Sequence, residues 1–127
     1  MEILSYPNSR ELCLVATTTE LSRLAAAVAA GEGSFACSPT SPQGRAVTAV
    51  RVVGTAGPGV RVDVSEGTLL IDGDAEARAV LADNLRDMAA MEDGGHLHVD
   101  HFPGHPYLAA GSVPLVVESP HGGMPRR

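Results

Sequence analysis

Hydrophobic and polar positions along the chain separate into two helical stretches and a series of shorter strand-like runs. Thr17-Thr-Thr-Glu20 opens the first helix: Thr17 is placed as N-cap, and Glu20 three residues on completes a capping box. Leu21, Leu24, Ala25 and Val28 then share one face, and Gly31 is suited to end the helix. A second helix starts at Asp74, with Glu76 complementing its positive end. Val80, Leu81, Leu85, Met88 and Met91 form its apolar stripe, with Arg78, Asp83, Arg86 and Asp87 largely on other faces. Gly94-Gly95 stops it.

The remaining runs read as strands. Residues 2–6 and 11–16 flank the turn Pro7-Asn-Ser-Arg10 and suggest an N-terminal hairpin. Residues 45–53 are valine-rich. Val60–Val64 alternates, with Arg61 and Asp63 outward, and Ser65-Glu-Gly67 returns the chain into Thr68–Ile71 as a second hairpin. His96–Phe102 alternates as well: Leu97 and Val99 face a core, which leaves His96, His98 and Asp100 on the other side. Pro103 ends that ladder, since it has no N–H to donate. Val113–Val117 is the last strand. Residues 31–44 are rich in Gly, Ser and Pro and read as a long loop, with Phe35 placed to pin it. The tail 119–127 has no period and reads as frayed.

The predicted order is β-β-α-β-β-β-α-β-β. Hairpins dominate, so the expected class is α+β: a mostly antiparallel sheet of about six to seven strands with two helices packed on one face. The other sheet face is then exposed in part. A single domain is expected over 1–118. No solenoid-period repeat, Walker loop or dinucleotide fingerprint is found.

Composition narrows the function. The 127 residues are 44% hydrophobic but only 3% aromatic, which fits a core of small aliphatics. All nine basic residues are arginine, and with abundant Ala, Gly, Pro and Val this reads as a GC-rich bacterial genome. A net charge of −6 opposes binding to nucleic acid or to an anionic membrane. The charge is uneven: residues 1–63 hold five acids and five arginines, and residues 64–127 ten acids and four. A basic partner is attracted to the acidic half, though acids also simply keep a small domain soluble. Cys13 reads as a small buried side chain and Cys37 as a loop residue, with a reducing cytoplasm as the default and no disulfide implied. Nothing resembles a signal peptide or a span, so a soluble cytoplasmic protein is expected.

Four of the five histidines fall within His96–His105. His96 and His98 lie roughly 6–7 Å apart on one strand face, so both could reach one Zn²⁺. Asp100 is too far along a straight strand to join them, and a site would need His105, His121 or a carboxylate from a neighbour. A small metal-binding protein or metal-dependent enzyme is therefore the alternative reading. No nucleophile motif accompanies the histidines, no catalytic residue is assigned and no cofactor is expected. The plainer reading is a solvated or partner-facing surface. His101, in phase with Leu97 and Val99, reads as a core-edge histidine. His105 reads as a turn residue satisfying a carbonyl. Phe102 and Tyr107 read as core lids or as interface anchors, and two of four aromatics within six residues favour anchors.

The segment Gly95–Leu108, followed by Gly111-Ser-Val-Pro-Leu-Val-Val117, resembles the C-terminal signature of the bacterial polymorphic-toxin immunity family numbered thirty-two, common in actinobacteria. Leu70-Ile-Asp-Gly-Asp74, Leu81-Ala-Asp-Asn-Leu85 and Ser9-Arg-Glu-Leu12 are similar to it too. The resemblance implies a protein that neutralises a cognate toxin by binding it directly. It carries over no metal site and no mapped contact. An acidic surface suits a basic toxin, such as a nuclease. The residues expected to touch the partner are His96, His98, Asp100, Phe102, His105 and Tyr107; a homo-oligomer is compatible with all of this.

Overall fold

The structure, a computed structural model, describes residues 1–5, 11–37, 47–91 and 95–118. The expected turn at Pro7–Arg10, the second part of the expected loop, the helix stop at Gly94, His121 and the tail from 119 lie outside the described residues. The elements are β1 (Glu2–Ser5), β2 (Leu12–Val15), α1 (Thr18–Ala30), β3 (Glu32–Ala36), β4 (Ala49–Gly54), β5 (Val60–Ser65), β6 (Thr68–Gly73), α2 (Ala75–Ala90), β7 (His96–Val99) and β8 (Leu115–Glu118).

The class is α+β, as expected, but the described residues hold eight strands, in two sheets rather than one. One four-stranded sheet has the order β1-β2-β8-β7 and the other β3-β4-β6-β5. Each is mixed: the outer pairs are antiparallel, whereas β2∥β8 and β4∥β6 are parallel at the centre. The helices pack on each other. Both reach the second sheet, α1 through β3 and β4 and α2 through β6, and α2 also meets β7 of the first. The extra strand is β3, which occupies the first part of the segment expected as loop. Glu-Gly-Ser has little strand propensity of its own, and the pairing of Glu32–Ala36 with Ala49–Val53 supplies it.

Local chemistry explains the helix ends. The Thr17 hydroxyl accepts from the Glu20 amide at 3.1 Å, and the Glu20 carboxylate accepts from the Thr17 amide at 2.9 Å, the reciprocal pattern of a capping box. Asp74 caps α2 by accepting from the Ala77 amide at 2.8 Å. Gly31 closes α1 with φ +84°, a left-handed conformation that costs a residue with a Cβ about 1–2 kcal/mol.

One core unites the sheets and helices: Ile3, Leu14, Leu24, Leu81, Val99 and Val117 from one end meet Val50, Val62 and Ile71 from the other. Two α2 positions depart from the expected stripe. Val80 is 41% exposed, while Arg78 is buried at 7%. Arg78 extends its guanidinium to the carbonyls of Gly73 (2.9 Å), Val28 (2.9 Å) and Ala29 (3.0 Å). Val28 and Ala29 belong to the last turn of α1, whose carbonyls lack intrahelical partners. The cation thus caps a neighbouring helix at its negative end, which is why burial is tolerated.

The chain follows the same ββαββ path twice. Each passage places its first hairpin in one sheet and its second in the other. Counted from the two N-caps, Leu12, Leu14, Leu24, Ala25 and Val28 coincide with Leu69, Ile71, Leu81, Ala82 and Leu85, and all are buried. Three of these five pairs are identical residues and the other two keep apolar character, whereas Arg78 falls where the first passage has Leu21.

Candidate functional site

β7 is an edge strand, antiparallel to β8, with His96 opposite Glu118 and His98 opposite Val116. Val99 is fully buried and Leu97 half-buried, so both histidines stand exposed on the outer sheet face as the alternation requires. Their ring centroids are 6.2 Å apart. The strand ends at Val99, earlier than the expected Phe102, so Asp100 is exposed just beyond it. Farther across the same sheet, the Cys13 thiol donates to the Glu118 carboxylate at 2.8 Å. Burial, and then Glu118 itself, pushes that thiol up to about 12, so it stays protonated and unreactive. Cys13 is half-buried rather than fully buried; Cys37 is buried at the end of β3; both are free thiols.

The turn that follows has specific chemistry. The His105 amide donates to the Phe102 carbonyl at 2.9 Å, with Pro103 and Gly104 between them and Gly104 at φ +83°. Pro then Gly with positive φ is the type II pattern. His105 thus satisfies a carbonyl through its backbone amide, and its imidazole serves as an acceptor. Its Nδ1 accepts from the amides of Tyr107 (3.2 Å) and Leu108 (3.0 Å), which requires that nitrogen to be unprotonated. Burial, followed by the charge of His101, lowers the pKa of His105, with Asp100 opposing. Phe102 leans on the imidazole with centroids 4.6 Å apart, and Tyr107 meets it edge-on at 4.7 Å. His101 is half-buried and stacks with His105 at 6.3 Å.

The site residues therefore divide. Tyr107 is 7% exposed and acts as a lid on the core, its hydroxyl accepting from Asn84 of α2 at 3.4 Å; burial raises its pKa. Phe102 is 54% exposed. The segment after it is fastened to β5: the Val60 amide donates to the Tyr107 carbonyl, and the Ala109 and Val113 amides donate to the Val60 and Val62 carbonyls, each at 2.7 Å. The Ser112 hydroxyl accepts from the Val62 amide at 3.1 Å. Asn84 and Val60 as tethers carry no signal in the sequence, because both depend on which elements become neighbours. Among the described residues, no three His, Cys, Asp or Glu side chains are grouped to hold a metal ion.

Comparison with known families bears on the same segment. Residues 68–120 match the family model of Immunity protein 32. This part of the chain is similar to that immunity family. The match runs from β6 through α2, β7 and the histidine turn to β8, so it includes every residue of the candidate surface. No curated protein and no solved structure matches the chain. Among the described residues, no helix is long and apolar enough to cross a membrane.

Proposed function

We propose that the chain is an immunity protein that neutralises a cognate toxin by direct binding, without catalysis. The observation that carries this reading is the coincidence of the Immunity protein 32 match with a rigid turn holding out Phe102. An aromatic that is half exposed yet seated on a fixed imidazole loses little freedom on docking, and such residues dominate interface energies. His96, His98 and Asp100 form the polar part of the contact, and His105 and Tyr107 hold Phe102 in place. Asp87, exposed on α2, adds negative charge, whereas Asp83 is paired with Arg86 at 3.0 Å; with Asp100 this favours a basic toxin surface, as on a nuclease.

Inhibition of the product of the neighbouring reading frame, assayed as a toxin, tests the reading. The wild-type protein abolishes toxin activity at equimolar ratio. Phe102→Ala, and His96→Ala with His98→Ala, require an excess while melting at the wild-type temperature. Full toxin activity in the presence of folded wild-type protein would refute the function. Unimpaired inhibition by both variants would refute the surface.

A further inference from the structure

The second sheet ends in β3, and its outer edge is open among the described residues. The Gly54 amide donates to the Gly31 carbonyl at 2.7 Å and the Cys37 amide to the Thr48 carbonyl at 2.8 Å. Backbone groups alternate sides along a strand, so Gly31, Gly33, Phe35 and Cys37 bond to β4 while Glu32, Ser34 and Ala36 turn their N–H and C=O groups outward. All three outward residues are exposed. The opposite edge, β5, is covered by residues 107–113. β3 lacks the usual protections of an edge: it has no proline, no basic side chain, and one acid at its end.

We propose that β3 joins two copies of this chain, strand to strand and antiparallel, about a two-fold axis at Ser34. The register is self-complementary. Ser34 meets Ser34 of the other copy, and Glu32 of each copy meets Ala36 of the other, so the two carboxylates are kept apart. The outward groups of Glu32, Ser34 and Ala36 then supply about six backbone hydrogen bonds. On the inner face Phe35, half-buried in the single chain, comes opposite Gly33 of the other copy, whose inner side is already closed by Ala27 of α1. The strand lies in the half of the chain whose charges balance, so the acidic surplus does not concentrate at the contact. The joint shares no residue with the β7 surface.

Sedimentation velocity of the purified chain, up to about 100 µM because edge contacts are small, tests this. The wild type sediments as a dimer. Ser34→Pro sediments as a monomer with unchanged circular dichroism, because its amide points away from β4 and is not needed within the chain. Ser34→Cys forms a covalent dimer on mild oxidation, since paired Cα atoms lie about 5.5 Å apart in such a register. Glu32→Cys does not, nor does the wild type with Cys13 and Cys37. A monomeric wild type, or a folded Ser34→Pro that remains dimeric, would overturn the proposal. Failure of Ser34→Cys to cross-link would overturn it even if Ser34→Pro proved unstable.

Discussion

At the residue scale, three positions carry distinct energetic consequences. Arg78 is the first. Its Cβ position matches Leu21 in the first passage of the fold, so a leucine would fit by topology. Arg78→Leu nonetheless removes the guanidinium from the carbonyls of Val28 and Ala29, while Gly73 keeps the Thr55 amide at 2.8 Å. The expected loss is about 2–4 kcal/mol of stability, read by denaturant unfolding, since orphaned buried acceptors cost about 1–3 kcal/mol each. Gly104 is the second. A Cβ there meets nothing within 4 Å, so Gly104→Ala costs only its positive φ of +83°, about 1–2 kcal/mol. His105 is the third. Its folded pKa lies below the ordinary 6.5, so the unfolded chain takes up the proton first as pH falls. The stability it contributes is fully present above that ordinary value and is lost as pH drops below it toward the folded value. Melting temperatures at about pH 7.5 and pH 5.5 should diverge more for the wild type than for His105→Asn, whose side-chain carbonyl can accept the same amides without titrating. Equal divergence would remove His105 from the explanation.

At the element scale, what was legible in the sequence was what depends on neighbours in sequence. The capping box at Thr17 and Glu20, the Asp74 cap, the Val60–Ile71 hairpin and the alternation at His96–Val99 are all local, and all four form. β3 was hidden because Gly33 shows no side chain to read and its strand character comes from β4. Val80 and Arg78 invert the phase that hydropathy predicts for α2, valine inward and arginine outward, because Arg78 reaches three carbonyls from within. The division into two sheets was not legible because β2∥β8 joins opposite ends of the chain, and no local pattern encodes such a parallel pairing. At the candidate site the exposed faces of His96 and His98 followed from alternation. The burial of Tyr107 did not, since it depends on Asn84 and on the fastening of the segment to β5.

At the scale of the whole molecule, the repeated ββαββ path interlocks the two halves. Neither sheet belongs to one half: each takes one hairpin from residues before Gly57 and one from residues after it. Separate unfolding of the halves would break both sheets at their central parallel pairs. Chemical denaturation should therefore give one transition, with far-ultraviolet dichroism and tyrosine fluorescence coinciding; two resolved transitions would show that the halves are independent. β7 and its turn lie at one sheet edge and β3 at the edge of the other, so the proposed toxin contact and the proposed self-pairing fall on different strands.

If a surface built around Phe102 holds the toxin, as proposed, calorimetric titration of that toxin with the wild-type chain and with Phe102→Ala will separate the two proteins. Saturable one-to-one binding by the wild type, weakened by about 2 kcal/mol or more in the variant at an unchanged melting temperature, is the predicted result. Equal affinities for the two proteins would contradict it.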